Sequence, residues 1–163
     1  MATAIFVAGP TRIDWYDGSV WTELGECDND NLPQVSFQDY QHEVRTSSSG
    51  ATPEEIVLQN TDATISFTLV KWDVTELQQL EARQRGAQGT TTVGRLLVND
   101  SGVFGIRVYP KTPGKTTYTF LRCYLPPGGM AHSQFGNVER RLGLTVKAVP
   151  DANNLLYATG TSV

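Results

Sequence analysis

A chain of 163 residues is long enough for one domain with a substantial core, since a protein of this size buries roughly two-thirds of its unfolded surface, and residues 1–163 are read as a single domain. Thirteen Lys and Arg against seventeen Asp and Glu give a formal charge of −4, which argues against a standing electrostatic grip on nucleic acid or on an anionic membrane. Cys27 and Cys123 are isolated, with no CxxC spacing to suggest a zinc site or a disulfide framework, and the opening MATAIFVAGP has neither the basic start nor the apolar length of a signal peptide or membrane span.

The first elements form a hairpin. Thr11–Tyr16 and Ser19–Leu24 flank Asp17-Gly18, a pair that supplies the positive φ angles of a tight turn. A loop rich in Asp and Asn follows over Gly25–Leu32. Pro33–Arg45 then reads as a strand whose alternation changes face near Asp39, which predicts a bulge. The polar linker Thr46-Ser47-Ser48-Ser49-Gly50-Ala51-Thr52-Pro53 leads into a second long strand, Glu55–Trp72. Within it Ala63, Ile65, Phe67 and Leu69 alternate with Asp62, Thr64, Ser66 and Thr68, so one face is apolar and the other polar and rich in hydroxyls.

Asp73-Val74-Thr75-Glu76 has the form of a capping box and opens a helix over about Val74 to Arg85, with Val74, Leu77 and Leu80 at helical spacing and Gly86 at its end. Val93–Val98 suggests a short strand before the turn Asn99-Asp100-Ser101-Gly102. Three strands then end at prolines, namely Val103–Tyr109, Thr116–Leu125 and Asn137–Val149, and Leu155–Ala158 suggests a terminal edge strand. Eight to ten strands with one helix predict a mainly β fold, a β-sandwich or curled barrel of two packed sheets with one flanking α-helix.

Little in the chain points to catalysis. His42 and His132 have no ligand partner at metal-binding spacing on the same element, and no nucleophile-elbow motif marks a serine that would make a triad of Ser36, His42 and Asp39. Gly86, Gly89 and Gly94 precede no helix, so they form no phosphate cradle. The carboxylate pairs Glu54-Glu55 and Asp28/Asp30 fall in loops and read as solvated surface. Arg12, Trp15, Tyr16 and Trp21 place aromatics beside a cation, and cross-strand packing accounts for them better than a stacking site for sugars or bases. No enzyme activity, metal or cofactor is expected.

A long polar loop between two strands loses entropy on ordering and buries little in return, so Thr46–Pro53 is the segment where a partner is expected. The order of elements resembles the major tail tube proteins of tailed bacteriophages. The resemblance is carried by a Leu24-Gly25-Glu26 turn after the first hairpin, a strand, the loop with Gly50 and Pro53, the run Pro53-Glu54-Glu55-Ile56-Val57-Leu58-Gln59-Asn60-Thr61-Asp62-Ala63-Thr64-Ile65, and the Leu77/Leu80 helix. It covers most of residues 10 to 85. It implies a structural virion protein made in the host cytoplasm, whose copies form hexameric rings stacked, with other phage tail proteins, into a conduit for DNA ejection.

On that reading, Thr46, Ser47, Ser48, Ser49, Gly50, Ala51, Thr52 and Pro53 form the inter-ring loop. Asp62, Thr64, Ser66 and Thr68 face the lumen, past which DNA moves transiently and without specificity. The alternatives are a tail terminator, adaptor or baseplate hub subunit, and a monomeric sandwich that binds carbohydrate or protein through Trp15 and Trp21.

Overall fold

The computed structural model describes residues 11–27, 32–48, 50–86, 94–99, 101–133 and 141–161, with 130–133 described by their backbone. Among the described residues, nine strands and one helix follow in chain order: β1 Thr11–Tyr16, β2 Trp21–Cys27, β3 Gln34–Val44, β4 Glu55–Trp72, α1 Val74–Arg85, β5 Phe104–Pro110, β6 Thr116–Tyr124, β7 Met130–Ser133, β8 Arg141–Ala148 and β9 Ala158–Thr161. Every described pairing is antiparallel. The strands belong to one sheet, and because β4 also pairs with β8, the ladders run in a circuit through β4, β2, β1, β5, β6, β8 and back to β4. The mainly β expectation holds, with α1 on the flank; in place of the expected two packed sheets there is one sheet curled on itself, because the β4–β8 pairing closes the circuit.

The alternation in β4 fills the barrel. Ala63, Ile65, Phe67 and Leu69 point inward and are buried, as are Leu142, Leu144, Val146 and Ala148 opposite them in register on β8. Ile13, Leu24, Phe104, Ile106 and Phe120 close the core from the other strands. Cys27 and Cys123 are buried free thiols, and burial pushes the Cys123 thiol up.

The helix begins at Asp73, whose carboxylate accepts from the backbone N–H groups of Thr75 and Glu76 at 2.9 and 3.1 Å. Glu76 does not complete the box, because the Asp73 N–H is already donated to the Leu24 carbonyl. Its carboxylate instead accepts from Trp15 Nε1 at 2.8 Å and ties the helix to the barrel. Leu77, Leu80 and Gln84 form the buried stripe, and Val74 stays exposed. Gly86 ends the helix at φ +99°.

Gln84 secures the helix to the loops around it. Its amide donates to the carbonyls of Gly102 and Leu97, and its oxygen accepts from the Leu125 N–H at 3.0 Å. This accounts for one correction to the sequence expectation. Residues 94–99 form turns and bends in place of the expected strand Val93–Val98, with Leu97 O turned to Gln84, Val98 O to Arg122, and Arg95 bonded to the helix-terminal carbonyls of Arg83 and Gln84. Their backbone is engaged by side chains and not by a ladder. Val93 itself lies outside the described residues.

The segment Leu24-Gly25-Glu26 is not a turn. It lies within β2, and Gly25 is there because a Cβ at that position would sit 2.2 Å from the Lys71 carbonyl as β4 crosses close by. The first hairpin has a four-residue connection, since the Asp17 carboxylate accepts from the N–H groups of Ser19 and Val20 and delays the second strand to Trp21. These bonds hold the Asp17 carboxyl below the usual carboxylate range.

Strand β7 was not anticipated, because the run Pro126-Pro127-Gly128-Gly129 reads only as a terminator. The edge strand β9 starts three residues later than expected because Asp151 caps a turn over Asn153 and Leu155. The first ten residues, Asp28 and Asp30, Ser49, the stretch 87–93, Asp100 and the first part of the strand expected at Asn137–Val149 lie outside the described residues.

Candidate functional site

Strands β3 and β4 do more than contribute to the barrel. Their ladder runs from Gln34↔Ser66 to Val44↔Glu55 with one register shift, whereas β8 supports β4 only from Ala63 to Leu69. Beyond Ala63 the pair forms a two-stranded arm, about 25 Å long at ~3.3 Å per residue. The register does shift near the expected place, between Tyr40 and Gln41, but the extra residue is Gln59 of β4 and not a residue of β3. Asp39 accepts from Thr61 Oγ1 at 2.6 Å and Tyr40 donates to Asp62 at 3.3 Å, so polar pairs brace the arm where no core does.

The segment Thr46–Pro53 caps this arm. The described residues Thr46, Ser47, Ser48, Gly50, Ala51 and Thr52 are exposed and Pro53 is half-buried. The Gly50 N–H donates to Thr46 O at 3.3 Å, Glu54 N–H to Val44 O at 2.8 Å, and Thr46 Oγ1 bonds both Ser48 and the Glu54 carboxylate. The loop is therefore closed by a ladder that reaches its base, and the exposed feature is larger than the loop alone. Apolar side chains stand in solvent along the arm: Ile56 is 50%, Val57 47% and Leu58 63% exposed, with Val44 and Tyr40 also uncovered. Two-stranded ribbons without a packed face are marginal by themselves.

The second candidate surface is the outer wall of β4. Thr64, Ser66 and Thr68 point away from the core and are half-buried, and register places Ser36 and Lys147 beside Thr64, Gln34 and Thr145 beside Ser66, and Gly143 beside Thr68. Asp62 continues this row onto the base of the arm. The four residues thus share one polar, hydroxyl-rich face with β3 and β8.

On the opposite wall the structure assembles a cluster that sequence spacing does not reveal. Asp14, 1% exposed, accepts from Arg107 Nε and Nη2 at 3.0 and 2.7 Å and from Arg12 Nη2 at 3.3 Å, with Arg12 Nε 3.0 Å from its other oxygen as an ion pair. The Arg12 guanidinium lies 4.2 Å above the Tyr109 ring, and that of Arg107 lies 4.8 Å from Trp21. Arg12 and Arg107 meet only because β1 pairs with β5, a non-local contact.

Trp15 is not part of any surface, being 2% exposed inside the barrel, so the proposed Trp15/Trp21 recognition face lacks one of its residues. Tyr16 and Trp21 pack on each other with ring centroids 5.1 Å apart. Ser36 and His42 lie six residues apart on one extended strand, about 20 Å, and form no triad. Among the described residues no group of three or more His, Cys, Asp or Glu gathers as a metal site, and no helix is long and apolar enough to cross a membrane.

No family model matches the chain, and no curated protein matches its sequence. Solved structures do. A chain of the native gene transfer agent virion superposes with a TM-score of 0.50 at 12% identity, covering 93% of this chain and 95% of that one. A chain from the tail of an empty gene transfer agent particle, refined helically with C6 symmetry, gives 0.50 at 14% identity over the same shares. The fold is one found in a particle tail. The resemblance drawn from the order of elements and the likeness of the folded chain agree, and the likeness extends well past residues 10 to 85 to nearly the whole chain.

Proposed function

We propose that this chain is a tail tube subunit, a structural virion protein whose copies close into hexameric rings and stack into the conduit through which DNA is ejected. The observation that carries the proposal is the fold shared over 93% of the chain with a chain of a C6-symmetric particle tail. The arm supports it. An apolar, two-stranded projection with solvent on both faces is poorly stabilised in a lone copy and gains its packing when another copy covers it.

In this reading Thr46–Pro53 orders against the adjacent ring, and Asp62, Thr64, Ser66 and Thr68 line the lumen. A hydroxyl-rich wall suits a channel because it stays hydrated and offers passing phosphates few fixed cations to hold them. The role is structural, not enzymatic, requires no cofactor, and places the protein in the virion tail after synthesis in the host cytoplasm.

Negative-stain electron microscopy across a concentration series, with light scattering on the same samples, tests the proposal. Hollow tubes of uniform width are expected. Single rings that never stack would reassign the chain to a terminator, adaptor or hub position. A strict monomer at every concentration would overturn the assembly reading.

A further inference from the structure

Beside the base of the arm the barrel mouth opens into a recess of about 350 Å3. Val35 and Phe37 of β3 form one side, Val108, Pro110 and Tyr118 the other, and Leu32 the lip. The apolar surface continues through Tyr157, whose ring centroid lies 5.5 Å from Phe37 and 6.1 Å from Tyr118. Leu32, Phe37, Tyr118 and Tyr157 are all exposed in the single chain.

The rim of this recess is basic. Pro110 and Thr116, both lining residues, are joined by a turn that carries Lys111 and Lys115. Glu26 nearby is approached by two lysines, Lys111 and Lys71, so that corner keeps a net positive charge.

The arm has the complementary character. Residues 38–62 hold Asp39, Glu43, Glu54, Glu55 and Asp62 against Arg45, a formal −4 that equals the charge of the whole chain. The remaining residues are therefore balanced. The same arm exposes Ile56, Val57 and Leu58 immediately after Glu54 and Glu55.

We propose that the recess is the receptor for the arm of a second copy, with Ile56–Leu58 entering the apolar mouth and Glu54 and Glu55 meeting the lysine turn. A copy's own arm cannot fill it. Phe37 pairs with Ala63, and the ladder holds Val57 opposite His42, five residues further along β3 and about 17 Å from the recess wall at ~3.3 Å per residue. The occupant must come from elsewhere, and the acidic, apolar arm of another copy matches both the lining and the rim. This rests on the tube-subunit reading and adds to it the surface on which the arm lands.

Two preparations, each with one added cysteine, test the contact, one Tyr118→Cys and the other Val57→Cys. The native thiols are buried and do not compete. Mixed, assembled and treated with a short bis-maleimide, they are expected to give a covalent dimer that neither preparation gives alone. Tubes that form from the mixture without this dimer would overturn the proposed receptor while leaving the tube reading intact. Failure of the wild-type chain to assemble at all would overturn both.

A charge exchange gives a second readout. Lys111→Glu with Lys115→Glu is expected to raise the protein concentration needed for assembly at least tenfold, and adding Glu54→Lys with Glu55→Lys is expected to restore it. An unchanged concentration in the first pair, or no recovery in the second, would count against the contact.

Discussion

The sharpest test of the arm replaces its exposed apolar residues without disturbing its ladder, as Ile56→Thr, Val57→Thr and Leu58→Thr together. Threonine keeps a strong preference for extended backbone, so the hairpin should persist. Fully burying an Ile, Val or Leu side chain contributes about 1.5–3 kcal/mol, and these three are close to half exposed, so each has roughly 1 kcal/mol still to gain on assembly. Losing about 3 kcal/mol per arm corresponds to roughly a hundredfold weaker association at ~1.4 kcal/mol per factor of ten. Light scattering should show the onset of assembly moving to about a hundredfold higher protein concentration, and microscopy should show no tubes at the wild-type onset. The melting temperature of the unassembled chain should move by no more than about 5 °C, since three exposed substitutions at less than ~0.5 kcal/mol each change stability by under about 1.5 kcal/mol together. Assembly at the wild-type concentration would refute the claim that these side chains are covered by another copy, and a large drop in melting temperature would mean that they support the fold of the single chain.

Three further outcomes follow from the barrel itself. Asp14→Ala leaves two arginines that are still partly open to water without their shared carboxylate, so a loss of about 2–3 kcal/mol and a fall of roughly 5–10 °C in Tm are expected by calorimetry, and an unchanged Tm would reduce the cluster to an ordinary surface pair. Gln84→Ala strips the Leu125 N–H and two carbonyls of a buried partner and should cost about 3 kcal/mol in a urea titration, with the largest gain in hydrogen exchange at Leu125. The hydrogen bond from Lys111 holds the Glu26 carboxyl below its ordinary value of 4.5. Its stabilisation is therefore complete above that value and is lost as pH falls through the lower folded value. Lys111→Met should lower Tm at neutral pH and converge with the wild type in acid, and a Tm difference that persists unchanged at the acid end would rule out this linkage.

Sequence patterns were informative where one periodicity ran long and met a clear boundary. The strand Glu55–Trp72 and the helix Val74–Arg85 appear with the limits that their alternation and caps predict, whereas the bulge expected in β3 near Asp39 is an extra residue on its partner, Gln59 of β4. The patterns failed where partners are distant in the chain. Gly25 looked like a turn because only the crossing of Lys71 above it explains a glycine inside a strand. The stretch 94–99 looked extended because the side chains that claim its carbonyls, Gln84 and Arg122, belong to other elements. The pairing of Arg107 with Asp14 spans 93 positions and leaves no local trace. At the candidate site, the loop Thr46–Pro53 was visible as a polar interruption, but the arm beneath it was not, because nothing in β4 marks where β8 stops supporting it.

That change of support divides β4 into two kinds of strand. From Ala63 to Ser66 each residue pairs with both β3 and β8, β8 continues to Leu69, and the alternation is strict over that stretch because one face is in the core. Before Ala63 the described residues provide a partner on one side only, and Ile56-Val57-Leu58 is a continuous apolar run with no inner face to alternate against. A strand of the first kind needs nothing beyond its own chain. A strand of the second kind has an unpaired edge, uncovered apolar side chains and a concentrated negative charge, three features that disfavour an isolated arm in water and that one docking event would relieve together. The charge also opposes contact between two arms, since each carries the same −4, and so directs an arm toward the neutral body of another copy and away from another arm. The arm thus combines a reason to associate with a reason not to aggregate tip to tip, which is what an ordered stack requires of its connecting element.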